Sequence, residues 1–157
     1  MKKIIIPLKI KRLLLITAVV IAGIAIWLIF FHKPTPVTVK TANTFISYQS
    51  KQLDTALQKG DYETANADCI AIGANTTVAS GLDNAISSYQ GCIQRLPANK
   101  VDWSTYIALA QLAKKKGDNQ LELNSLKQAQ ARIKATNADV SADTNTYIQS
   151  RIKQLGG

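Results

Sequence analysis

The sequence predicts an all-α protein in which an N-terminal single transmembrane helix is followed by a small antiparallel helical-hairpin domain of about six helices. Three observations carry this prediction. Residues 13–31 read LLLITAVVIAGIAIWLIFF, nineteen residues without a charge, and as a helix they reach about 28 Å, close to the hydrocarbon thickness of a bilayer. Beyond residue 40 the chain is rich in Ala, Gln, Leu, Asn and Lys, and its β-branched residues are scattered rather than alternating, which disfavours strands. Gly, Pro and capping Asp residues punctuate that stretch at helix-length intervals.

The N-terminal elements follow from charge. The chain carries 19 Lys and Arg against 10 Asp and Glu, a net of +9. Residues 1–40 hold seven of the basic residues and no acid, so residues 41–157 hold the other twelve with all ten acids, 12 − 10 = +2. The basicity belongs to the N-terminal segment, and nucleic acid is not expected as a partner of the folded part. Lys2, Lys3, Lys9, Lys11 and Arg12 precede the apolar run, while Lys33 and Lys40 are the basic residues that closely follow it. Positive-inside bias therefore places residues 1–12 in the cytoplasm as a basic tail and everything from His32 onward outside it. A cleaved secretory signal would have an apolar region of roughly 7–15 residues ending at a small-residue site. This run is longer and ends in Trp27, Leu28, Ile29, Phe30 and Phe31, which suit an uncleaved anchor in the plasma (inner) membrane. In residues 32–42, Pro34 and Pro36 deny backbone donors and favour extended neighbours, so the segment reads as a short stiff linker.

The extracytoplasmic domain, residues 43–157, is then read helix by helix. A first helix over about Asn43–Lys59 has a stripe of Phe45, Tyr48, Gln49, Gln52, Leu53, Ala56 and Leu57. Lys59-Gly60-Asp61 ends it, with Gly suited to the left-handed cap and Asp to the next N-cap. The second helix begins at Tyr62 with Ala65, Cys69, Ile72 and Gly73; its end is open, because Asn75, Thr76, Thr77 and Val78 are poor helix formers without being breakers. Ser80, with Asp83 three residues on, offers a cap for a third helix bearing Ala85, Ile86, Tyr89, Cys92, Ile93 and Leu96, which Pro97 closes. Asp102 caps a fourth, from Trp103 to about Lys116, with Ile107, Ala110 and Ala113 on one side and Tyr106 and Leu109 alongside. Gly117-Asp118 repeats the earlier punctuation. Leu121, Leu123, Leu126, Ala129 and Ile133 mark a fifth helix, and Tyr147, Ile148, Ile152 and Leu155 a sixth.

Several of these residues fall into a recurring large–small scheme. Cys69, Ile72 and Gly73 have the W-x2-L-G spacing, Ala85 and Tyr89 the A-x3-F spacing, and Pro97 the terminal position; Tyr106, Leu109 and Ala110 repeat the opening, with Leu126 and Ala129 on the following helix. Over roughly residues 43–136 the chain resembles tetratricopeptide-repeat-like (TPR-like) helical hairpins. It departs from them in the Cys at position 69, in Glu122 where a small residue belongs, and in the 37-residue step from Cys69 to Tyr106 in place of 34. The resemblance implies a scaffold that binds peptides or partner helices in a concave groove. It carries no binding residues over to this sequence.

Cys69 and Cys92, the two cysteines, lie in the part assigned to the outside, where disulfides persist. If the intervening turn is near Ser80-Gly81 they face each other across a hairpin; if the second helix ends near Gly73 they sit at different heights and no bridge forms. Trp103 and Tyr106 are candidate partner-binding aromatics, with packing into the core as the competing reading. Lys114-Lys115-Lys116 reads as a solvated helix end that satisfies the dipole, ahead of a contact with anionic lipid. Asn75-Thr76-Thr77 fits a glycosylation acceptor. No carboxylate pair, phosphate loop or serine elbow is visible, so no enzyme chemistry, cofactor, metal or small-molecule substrate is expected. The expected function is an adaptor or scaffold assisting envelope assembly or secretion, with the lipid bilayer and an envelope protein as partners; a structural stalk that forms oligomers is the alternative.

Overall fold

The computed structural model describes residues 38–157. In them six α-helices are joined by short connections: α1 (Val39–Lys59), α2 (Tyr62–Ser80), α3 (Leu82–Arg95), α4 (Trp103–Lys116), α5 (Asn119–Thr136) and α6 (Ala142–Gln154), with one 3₁₀ turn at Ala98–Lys100. The all-α prediction holds for this part. No described helix is long and apolar enough to cross a membrane, and the predicted transmembrane run 13–31, with its basic tail and most of the linker, lies outside the described residues.

Local chemistry explains the boundaries. Asp61, Asp102, Asp118 and Ser141 each accept a backbone N–H of the following turn, capping α2, α4, α5 and α6. Leu96 leaves the helical region before Pro97 and ends α3. Asn137 ends α5 in the left-handed conformation at φ 51°, which its short polar side chain tolerates.

Three expectations are corrected. The first helix begins at Val39 rather than Asn43, because the Thr38 hydroxyl accepts the Thr41 N–H at 3.3 Å and supplies the cap; residues 39–42 of the predicted linker are helical. Its buried stripe starts at Ala42 and runs through Leu53 and Ala56, whereas Phe45 and Tyr48 are about half exposed. Ser80 does not cap α3. It is the last residue of α2, and Gly81 alone joins the helices at φ 85°, ψ −179°, a region that essentially only glycine enters.

Each helix packs against its chain neighbours, and α2 also touches α4. Three apolar clusters result. Leu53, Ala56, Ala65, Cys69, Ile72, Cys92, Leu96 and Val101 fill the space among α1, α2, α3 and the connector. Ala85, Ile86, Tyr89, Leu109 and Leu112 join α3 to α4. Ala110, Leu123, Leu126, Ile148 and Ile152 seat α6 on α4 and α5.

Candidate interaction site

The α2–α3 hairpin is built around Cys69 and Cys92. Because α2 continues through Asn75–Val78 and reverses at Gly81, the two residues stand opposite each other with Cα atoms 5.7 Å apart, at disulfide distance. The continuation carries its own support: Thr76 and Thr77 donate their hydroxyls to the Ile72 and Gly73 carbonyls, one turn back. Asn75 sits in mid-helix with its amide donating to the Ala71 carbonyl at 2.8 Å, so the glycosylation triplet lies within regular helix. Further along the same interface the Tyr89 ring lies over Gly73, where a Cβ would stand 1.8 Å from the ring. The Tyr89 hydroxyl donates to the Ile70 carbonyl at 2.9 Å, and burial pushes its pKa up to about 12.

The connector between α3 and α4 is gripped from two helices. Asn66 of α2 donates to the Tyr62 and Lys100 carbonyls at 2.6 and 2.9 Å and accepts from the Asp102 N–H and the Thr105 hydroxyl at 2.8 and 2.9 Å. Its carboxamide thus meets four groups with two donors and one oxygen. From α5, Arg132 donates to the carbonyls of Val101 at 2.9 Å and Asn99 at 2.7 Å. Sequence periodicity singled out neither residue, since an Asn and an Arg at helical positions read as solvated. An open cleft of about 620 Å³ lies along this clamp.

The predicted aromatic pair begins α4. Trp103 and Tyr106 are both half-buried. Tyr106 packs against the cysteine-containing cluster, and burial raises its pKa against the lowering influence of the Arg132 cation. Its ring also lines a groove of about 310 Å³ between α3 and α5. Tyr106 therefore divides its surface between core and groove.

The remaining polar residues have local roles. Lys116 pairs with Asp83 across the α3–α4 interface, which raises the Lys116 pKa, and Lys114 stands 5.5 Å from the Tyr147 ring centroid. Glu122 is fully buried and receives Arg151 in a two-pronged pair at 2.7 and 2.8 Å. The buried oxygens Gln49 Oε1 and Asp68 Oδ2 have no hydrogen-bond partner. Among the described residues no cluster of His, Cys, Asp or Glu could hold a metal ion. No protein-family model, curated protein or solved structure matches the chain.

Proposed function

We propose that the chain is a membrane-anchored adaptor whose TPR-like helical domain lies outside the cytoplasm and binds another protein of the cell envelope. The observation that carries this reading is the Cys69–Cys92 pair. Two cysteines buried in one cluster at disulfide distance suit an oxidising compartment, and the basic-flanked apolar run 13–31 provides a route there.

The packing supports the repeat assignment. In stacked hairpins the first helices of successive units touch; here α2 and α4 do so, each followed by its own antiparallel partner, while α6 covers the last pair. Gly73 beneath Tyr89 is the close approach that a small residue at that position allows. An adaptor of this kind works by surface complementarity and by tethering, which raises local concentration at the membrane without chemistry.

Proximity labelling from a tag at the C-terminus, read by mass spectrometry, tests the proposal. Reproducible labelling of one envelope protein, lost when residues 41–157 are deleted, is the expected result. Labelling indistinguishable from background, or confined to other copies of this chain, overturns it.

A further inference from the structure

The large hydrophobic side chains that stand exposed among the described residues gather at one end of the first hairpin. They are Val39, Phe45 and Tyr48 in the first half of α1 and Val78 in the last turn of α2. Because α1 and α2 are joined through Gly60-Asp61 and pack as a hairpin, the start of one lies beside the end of the other. Phe45 and Val78 also share a side. Asp54 of α1 and Cys69 of α2 reach α3, through Arg95 and Cys92. Phe45 is nine residues from Asp54 and Val78 nine from Cys69, and nine residues make two and a half helical turns. Both side chains therefore point away from α3, and about half of each surface is open. Charge sets this end apart as well. Residues 39–53 carry Lys40 and Lys51 with no acid, and residues 69–82 carry no charge.

We propose that this flank of the first hairpin docks on the lipid interface of the bilayer that anchors the chain. The proposal rests on the anchor reading of residues 13–31. The first argument is reach. Seven residues, 32–38, separate the apolar run from α1, and fully extended they span at most about 25 Å. That is shorter than α1 itself, whose 21 residues rise about 31 Å, so the exposed side chains belong to the end of the domain that the tether keeps near the lipid. The second argument is chemistry. Phe and Tyr suit the headgroup level, where an apolar ring is buried and a phenol stays wet. No acid at this end opposes anionic headgroups, and its two charges are cations. The third is size. Four side chains fall far short of the roughly 20–30 residues that each side of a stable protein interface contributes, whereas a tethered surface needs only a weak contact.

The test uses the full chain reconstituted in vesicles of phosphatidylcholine and phosphatidylglycerol, with the photocrosslinker p-benzoylphenylalanine in place of Phe45, of Val78 or, as a control, of the exposed Gln128 on α5. Mass spectrometry after irradiation is expected to find phospholipid adducts at positions 45 and 78 about tenfold above those at 128. Tyr48→Asp in the chain labelled at position 45 is expected to lower that yield about fivefold, with the melting temperature unchanged, because it places a carboxylate on the flank. Equal adducts at all three positions, crosslinks to a second copy in place of lipid, or a yield insensitive to Tyr48→Asp each overturns the docking face. Flotation of the same vesicles keeps the two readings apart. Chain that floats without lipid adducts at 45 and 78 removes the docking face and leaves the anchor; chain that stays behind removes the anchor and the docking face with it.

Discussion

The α1–α2 and α4–α5 hairpins turn through the same three residue types, Lys59-Gly60-Asp61 and Lys116-Gly117-Asp118. Gly60 and Gly117 adopt φ 69° and 81° with ψ 18° and 15°, and the Asp61 and Asp118 N–H groups close on the Ala56 and Ala113 carbonyls at 2.9 Å in both. The capping aspartates then accept from Thr64 and Leu121 N–H groups at 3.1 and 2.9 Å. Four residues beyond each cap the hairpins diverge. Ala65 and Glu122 are both 0% exposed, but Ala65 lies in the cysteine-containing apolar cluster while Glu122 faces Arg151 of α6. Identical turn chemistry produces identical turns; what stands behind a turn is decided by the element that packs there next. The first hairpin is tied onward to α3 by Cys69–Cys92, the second to α6 by the Glu122–Arg151 ion pair.

Breaking that ion pair is expected to have the largest effect. Arg151→Ala strands the Glu122 carboxylate in a site closed to solvent, and removing the partner of a buried charge is strongly destabilising. Replacing both partners, Glu122→Leu with Arg151→Met, is expected to cost much less, because no charge is left behind. Chemical denaturation of the three proteins checks the order, and hydrogen exchange is expected to show α6 losing protection first. A double replacement as damaging as the single would mean that the pair positions α6 in a way apolar packing cannot.

The covalent tie predicts a loss in the other region. Closing a loop of 23 residues of sequence separation contributes about 3 kcal/mol on the loop-entropy model. Reduction is therefore expected to lower stability by that amount in the wild type and to change nothing in a Cys69→Ala, Cys92→Ala variant. Protection of α2 and α3 amides is expected to fall while that of α6 holds. Equal loss in both regions would show that the domain unfolds only as one unit.

Tyr89 gives a smaller, pH-dependent effect where α3 packs on the first hairpin. Its hydroxyl ionises near 10 in the unfolded chain and about 12 in the folded one. Between those values the folded state binds more protons, so stability falls as pH rises through the window from 10 to 12. Tyr89→Phe is expected to cost about 1 kcal/mol at neutral pH, for the bond to the Ile70 carbonyl, and to make the alkaline decline measured by thermal melts shallower.

The hairpins were legible in the sequence because their signals are local. Gly60 and Gly117 followed by capping aspartates mark the turns, and Pro97 marks the end of α3, without reference to anything distant. The start of α1 was misplaced because its stripe was anchored on Phe45 and Tyr48, which are apolar but lie on the open face, while the small Ala42 is the buried residue. The end of α2 was open because Asn75, Thr76 and Thr77 bond back to their own helix, a contribution that propensity does not count. The Asn66 and Arg132 clamp was missed because its partners are backbone carbonyls more than thirty residues away. Glu122 read as a departure from the repeat pattern; its partner lies 29 residues further on, in a helix outside the span of that pattern. The groove that Tyr106 lines draws its walls from α3 and α5, two helices that are not sequence neighbours.

The finest distinction between the two regions is a second buried acid. Asp68 on α2 is 7% exposed and its Oδ2 has no partner, in contrast to the fully bonded Glu122. Burial raises its pKa, and the Asp61 charge adds to the rise. A carboxyl whose pKa is higher folded than unfolded binds more protons in the folded state, so its contribution to stability is lost as pH climbs from about 3.9 through the raised value and stays lost above it. At neutral pH Asp68 is thus a net cost. Asp68→Asn is expected to raise the melting temperature at pH 7 and to leave it unchanged near pH 3, where the wild-type carboxyl is protonated in both states. A variant less stable than wild type at pH 7 would mean that the Asp68 charge is compensated where Glu122's is, by a partner, and the contrast between the two acids would disappear.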